Sequence, residues 1–167
     1  MFDFERYFRV RVDRVIDGDT LEASLYLGLG VWLNNQRLRL LGINAPEMKG
    51  ETRALGIKVR DYLADALKRA SDVVVRSDEE SKGKYGRFLV VVLAKLDGKW
   101  VNVNKELMRQ GAARAYESSD ASDAEAIFNP PNEDIEKRLQ VDEKKTRSEV
   151  YDESDEVLLA ISRRGRL

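Results

Sequence analysis

The sequence predicts a small α+β domain in which β structure dominates, followed by a charged extension. Three observations carry that expectation. Short runs that alternate apolar and polar residues recur over the first 116 positions, one long run has helical periodicity, and the charge balance changes sign after Tyr116.

Phe8 to Val15 alternates like a strand with one buried face. Ile16-Asp17-Gly18-Asp19-Thr20 reads as a turn, with Asp-Gly supplying hairpin geometry. Leu21 to Leu27 is a second strand, and Gly28 and Gly30 mark the next turn. Val31-Trp32-Leu33 then begins a bulged approach to a third strand over Leu38–Ile43. In that strand Arg37, Arg39 and Leu41 share one face, and Leu38 and Leu40 share the other. Pro46 fixes its own φ and biases Ala45 toward extended backbone, so the loop to Glu47 is expected to be rigid.

Lys49 to Ala70 carries Leu55, Val59, Tyr62, Leu63, Ala66, Leu67 and Ala70 at spacings of three and four, the mark of an amphipathic helix. Asp72 to Ser77 is a fourth strand, Asp78 to Lys84 a polar connection, and Phe88 to Leu96 a long strand. Asp97-Gly98 turns the chain onto Trp100-Val101. Asn102 or Asn104 can cap a short helix, Lys105 to Gln110, which Gly111 ends, and Ala113 to Tyr116 returns as a short strand. Five or six strands around one long helix suit a small closed barrel of the OB type. An α+β sandwich meets the same periodicities.

Composition removes whole classes of chemistry. The 167 residues include no cysteine and no histidine, which excludes disulfide scaffolds, Cys/His zinc sites, thiol nucleophiles and a histidine base. What remains is carboxylates, Arg, Lys, Tyr, Ser/Thr, or a hard cation held by oxygen. The first residues, Met1-Phe2-Asp3-Phe4-Glu5, have neither a basic nor an apolar export region, and no run approaches the roughly 18 apolar residues of a span. The expectation is a cytoplasmic protein with no membrane partner, or a secreted one if an export segment preceded it. The net charge of −1 conceals an asymmetry. Residues 1–116 carry 21 Lys+Arg against 16 Asp+Glu, a net of +5, and residues 117–167 carry 8 against 14, a net of −6. A basic body suits a polyanion.

Three separated stretches hold groups that could work together. Asp17-Gly18-Asp19 offers two carboxylates in a turn. Arg39, Asn44 and Glu47 offer a guanidinium, an amide and a carboxylate, and Lys84-Tyr85-Gly86-Arg87 offers a second guanidinium beside a ring. Each alone is most simply a turn, a loop end or a hairpin flank. As a set they meet the needs of metal-assisted phosphodiester hydrolysis, in which a cation polarises phosphate, a carboxylate activates water and two guanidiniums hold the growing charge. Arginine suits that last task because its planar fork meets two phosphate oxygens at once and stays charged.

The order and spacing of Ile16–Thr20, Arg39–Glu47, Lys84–Arg87 and Val103–Ala113 resemble the staphylococcal nuclease (thermonuclease) family, over roughly residues 8–116. The resemblance implies a five-stranded OB-fold barrel with helices and a calcium-dependent nuclease acting on DNA and RNA. In such an enzyme water attacks phosphorus in line, the bond to the 5′ oxygen breaks and a 3′-phosphate remains. It further implies Asp19, Asn44 and the backbone carbonyl of Ala45 as calcium ligands, with Asp17 reaching the ion through water. Glu47 would be the general base, and Arg39 and Arg87 would bind phosphate. Lys84, Tyr85 and Tyr116 would line the nucleotide pocket, where an aromatic face can stack on a base. One departure stands inside the motif: position 44 is asparagine where the best-known members have aspartate, and fewer ligand charges mean weaker calcium binding.

A related module without activity, binding nucleic acid or protein, is the alternative. Retention of Asp19, Arg39, Glu47 and Arg87 together favours the enzyme. The expected division is a nuclease domain over 1–116 and an acidic extension over 117–167. Ser118 to Asp123 reads as linker, Asn129-Pro130-Pro131 as a stop, Asn132–Glu149 as a solvated helix and Asp155–Ser162 as a short one. That extension has too little apolar surface to fold alone, so it is expected to pack on the barrel or on a second subunit of a homo-oligomer.

Overall fold

The computed structural model describes residues 6–82 and 87–115. Lys84, Tyr85, Tyr116 and the whole extension 117–167 lie outside them. Eight strands and two helices follow in the order β1 (Arg6–Asp17), β2 (Thr20–Gly28), β3 (Val31–Leu40), β4 (Ile43–Asn44), α1 (Arg53–Arg69), β5 (Asp72–Lys82), β6 (Phe88–Leu96), β7 (Lys99–Asn102), α2 (Val103–Arg109) and β8 (Arg114–Ala115).

The main sheet runs β3-β2-β1-β5-β6-β7, and β3 pairs again with β6, which closes five strands into a barrel. The closing pair is parallel, with Leu38 opposite Phe88 and Leu40 opposite Val90. β6 can serve three partners because it is long. Its first residues meet β3, its last residues carry the hairpin to β7, and its other edge pairs with β5 along most of its length. The barrel, rather than the sandwich, is therefore the solution, and it is an OB-type fold. Closure removes the exposed edges that a sandwich would leave.

The alternation read in β3 holds where the barrel closes: Leu38 and Leu40 are buried while Arg37 and Arg39 face outward. With Leu21, Ile43, Val75, Val90, Val92 and Leu107 they form the core. β3 begins at Val31, so the approach to it is itself strand, paired with β2 through two irregular steps.

The helix is narrower in its buried stripe than its sequence suggests. A 3-10 turn over Gly50–Thr52 precedes α1, and the buried positions are Gly56, Val59, Leu63, Ala66 and Leu67. Leu55 and Tyr62 are exposed, contrary to expectation. Those two lie seven residues apart on one flank of the stripe, and only the central row reaches the barrel. Asn102, not Asn104, caps α2, accepting from the Lys105 N–H at 3.0 Å. Asn104 is instead fully buried, accepting from the Val92 N–H at 2.9 Å and donating to the carbonyls of Leu41 and Val90 at 3.0 and 3.1 Å. One amide thus ties α2 to β6 and to the turn after β3. Among the described residues no helix is long and apolar enough to cross a membrane.

Candidate nuclease site

The loop after β3 is positioned from three sides. β4 pairs with β8, placing Asn44 opposite Arg114. Asn104 holds the Leu41 carbonyl, as above. From the third side Gly56 of α1 presses against the loop so closely that a Cβ there would lie 2.7 Å from the carbonyl oxygens of both Pro46 and Glu47. The Thr52 hydroxyl adds a hydrogen bond to the Glu47 carbonyl at 2.9 Å.

The turn between β1 and β2 meets the same loop. Gly18 is not in the left-handed region; its value is space, since a Cβ would meet the side chains of Ala45 at 2.6 Å and Val59 at 2.7 Å. This corrects the reading of Asp-Gly as a source of turn geometry. Asp17 Oδ1 accepts the Asp19 N–H at 3.1 Å, the usual way an aspartate closes a turn on itself.

Asp19 is buried at 5% exposure. Its Oδ2 accepts the Ala45 N–H at 2.7 Å, and its Oδ1 accepts from the Thr20 hydroxyl at 3.1 Å and from Arg39. Burial pushes the Asp19 carboxyl above its ordinary range, against the opposing pull of the Ala45 N–H and the Arg39 charge. Arg39 arrives from β3, where it pairs with Thr20 across the ladder. Its second terminal nitrogen reaches the Ile43 carbonyl at 3.3 Å and Asn44 Oδ1 at 3.2 Å. Glu47 stands on the rim with its side chain 71% exposed and Lys49 3.9 Å away. Arg87 comes in because β6 starts beside β3: it is the residue before Phe88, which pairs with Leu38.

Asp17, Asp19, Arg39, Asn44, Ala45, Glu47 and Arg87 all line one cavity of about 420 Å³. All the expected catalytic and metal-binding positions are therefore brought together, from three stretches of chain. The expected nucleotide-pocket residues Lys84, Tyr85 and Tyr116 fall outside the described residues. Lys49, Pro46 and Met48 also line the cavity and were not foreseen. Lys49 sits two residues beyond Glu47, on the same loop, which is the only sequence signal it gives.

The donors suit a hard cation in kind, since all are oxygens. Asp19 Oδ1 and Asn44 Oδ1 already converge on one positive charge, the Arg39 guanidinium. In charge the site is poor: among the described residues no three Asp, Glu, His or Cys side chains gather as a metal site.

The family profile described as "Staphylococcal nuclease homologue" matches residues 37–150. The match takes in Arg39, Asn44, Glu47 and Arg87, begins after Asp17 and Asp19, and continues past the 8–116 span of the sequence motifs. The chain is similar to endonuclease YhcR of Bacillus subtilis, at 31% identity over 113 residues, 63% of this chain and 9% of that protein. It is also similar to the uncharacterised protein MJ1439 of Methanocaldococcus jannaschii, at 28% identity over 137 residues, 70% of this chain and 63% of that protein. The aligned region spans less than two thirds of the length of either relative. With the barrel, the convergent cavity and the profile in agreement, this chain belongs to the family of staphylococcal nuclease homologues.

Proposed function

We propose that this protein is a calcium-dependent nuclease that hydrolyses phosphodiester bonds of DNA and RNA and leaves 3′-phosphate products. The observation that carries the reading is the single cavity on which Asp19, Arg39, Glu47 and Arg87 converge from three separate motifs. A family profile and an endonuclease among the relatives support it.

Asp19, Asn44 and the Ala45 carbonyl would hold the cation, with Asp17 reaching it through water. The chemistry that a bound calcium would supply there is polarisation of the phosphate and easier ionisation of the attacking water. The exposed Glu47 carboxylate accepts a proton from that water as its oxygen bonds to phosphorus. The bond from phosphorus to the 5′ oxygen breaks on the opposite side, and that oxygen takes a proton from solvent. Arg87 and Arg39 hold the equatorial phosphate oxygens, where the charge grows. For Arg39 this requires release from Asp19.

That last requirement, with the amide at position 44, favours a second reading: a nucleic-acid-binding module with little or no turnover. Incubation of end-labelled single-stranded DNA and RNA with calcium, magnesium, manganese or chelator separates the two. The nuclease reading expects cleavage with calcium, 3′-phosphate ends, and loss of cleavage with chelator. Binding without cleavage under every condition leaves the module.

A further inference from the structure

Among the described residues three cations line the cavity, and the proposed mechanism uses two of them, Arg39 and Arg87. Lys49 is the third. Its side chain is 85% exposed, and its ammonium lies 3.9 Å from Glu47 Oε2, beyond hydrogen-bond distance but within reach of an ion pair. Exposed pairs of this kind contribute little, because each ion keeps most of its water. Lys49 is therefore held near Glu47 without being committed to it.

The nearness is built into the backbone. The Thr52 hydroxyl donates to the Glu47 carbonyl at 2.9 Å and also lies 3.4 Å from the Lys49 carbonyl, so one side chain spans both residues. Lys49 has extended backbone, and Gly50 follows at φ +61°, turning the chain into the 3-10 turn before α1. Gly56 backs the Pro46 and Glu47 carbonyls from the other side. A substrate can redirect the Lys49 side chain, but its Cα stays two residues from the proposed base.

Three roles inside the reaction fail for this ammonium. It is no ligand of the proposed calcium, since a protonated amine has no lone pair to give. It is wrongly placed to protonate the leaving 5′ oxygen. In-line displacement puts that oxygen on the face of phosphorus opposite the water, and a group 3.9 Å from the base stands on the water's side. A lasting partnership with Glu47 would oppose the reaction, because the ammonium N–H groups would compete with the water for the same carboxylate oxygens.

What remains is a phosphate other than the scissile one. The leaving nucleoside departs on the far side, so the substrate left to the water's side is the strand attached through the 3′ oxygen. The next anion along that strand is the upstream phosphate. Lysine suits it as a compact charge on a flexible stem, which meets a phosphate without fixing its orientation.

We propose that Lys49 binds the phosphate next upstream of the scissile one, and that Glu47 is freed for the attacking water as Lys49 turns away to it. The release of Glu47 rests on the nuclease reading; the phosphate contact does not. Lys49 becomes the residue that distinguishes a strand with two successive phosphates from a lone phosphodiester. Arg39 and Arg87 do not make that distinction, since both are assigned to the scissile phosphate.

The test uses the whole chain and two substrates, a thymidine dinucleotide with one phosphodiester and the same dinucleotide carrying a 5′-phosphate. With calcium present, the 5′-phosphorylated form should be cleaved with a kcat/KM about 3- to 10-fold higher, chiefly through KM. Lys49→Ala should remove that difference, and Lys49→Arg should keep most of it. A second arm, with chelator present, reads binding without turnover. There the affinity for a short oligothymidylate is measured against salt, and the slope of log affinity on log salt should be shallower by about 0.7 in Lys49→Ala. Equal cleavage of both dinucleotides by the wild type, or a slope that Lys49→Ala leaves unchanged, overturns the Lys49 assignment and leaves the nuclease reading standing. A wild type that cleaves neither dinucleotides nor longer strands overturns the nuclease reading and the release of Glu47 with it, and the salt slope alone then decides the phosphate contact.

Discussion

Arg39 closes on the Asp19 carboxylate from the neighbouring strand, and the same guanidinium reaches Asn44 Oδ1 at 3.2 Å. It stands as an internal cation between two of the oxygens proposed to bind calcium. On the proposed reading a divalent cation and Arg39 would compete for one position, and an Arg39 driven off by the cation would become available to phosphate. Ordering of this kind would keep the phosphate clamp closed until the metal is present.

Arg39→Ala is accordingly expected to tighten calcium binding in the absence of nucleic acid while it slows cleavage. A hydrogen bond to a charged group contributes about 1.5–3 kcal/mol, so its removal should lower the dissociation constant about 10-fold or more. Asn44→Asp should also tighten binding, because it adds a ligand charge, but less than a charge normally would, since an aspartate there also holds Arg39 more firmly. The double variant should bind tightest. Calorimetric titration at matched ionic strength checks all three, and unchanged affinity in Arg39→Ala removes the competition.

Glu47→Gln and Arg87→Ala should each slow cleavage while leaving the protein folded. Glu47 is mostly exposed, so its loss takes nothing from the core. General-base assistance typically supplies about 10²–10⁴-fold, and a loss in that range is expected for Glu47→Gln. Rates on a defined oligonucleotide, with melting curves of each variant, make the comparison. Wild-type turnover in either folded variant removes that residue from the mechanism.

Asp19→Asn should raise the melting temperature near neutral pH. Burial lifts the folded-state pKa of Asp19 above the ordinary 3.8. The folded protein then binds this proton more tightly than the unfolded chain does. The stabilising contribution is complete below the unfolded value and is lost as pH rises through the folded one. Asparagine cannot ionise and keeps an oxygen for the Ala45 N–H. Its advantage should be largest near neutrality and vanish below pH 3.8. A melting series across that interval decides it, and a variant less stable at neutral pH would mean that the Arg39 pair outweighs desolvation.

The legible part of this protein was periodic or local. Leu38 and Leu40 alternate with Arg37 and Arg39, so the buried face of β3 could be read directly. Asp19, Arg39, Asn44, Glu47 and Arg87 sit in motifs whose order pointed to one site, and they do line one cavity. Closure of the barrel was legible through the strand count and the family resemblance, while periodicity alone left the sandwich open, because the parallel pairing of Leu38 with Phe88 joins residues fifty positions apart and leaves no period. The same holds for Asn104, where a buried amide and a helix cap look alike in sequence. The Arg39–Asp19 pair also leaves no local pattern, because it joins a turn and a strand through side chains alone.

Gly56 offers the sharpest test of how the site is held. At an ordinary helix position, alanine in place of glycine stabilises by roughly 0.8–1 kcal/mol. Here the added Cβ would lie 2.7 Å from two backbone carbonyl oxygens, those of Pro46 and Glu47, and backbone cannot swing aside as a side chain can. Overpacking of that kind typically costs about 1–3 kcal/mol, which exceeds the helix gain, so Gly56→Ala should lower the melting temperature. The strain should also push the loop outward. That loop carries Asn44, Ala45 and Glu47, and a displacement of about 1 Å can cost about 10²-fold in rate. Turnover should therefore fall together with calcium affinity, although Gly56 supplies no side chain to the cavity. Melting, calorimetric titration and cleavage rates of the one variant read all three effects. A variant that melts higher and cleaves normally would show that the loop has room to yield, and that α1 does not set the position of Glu47.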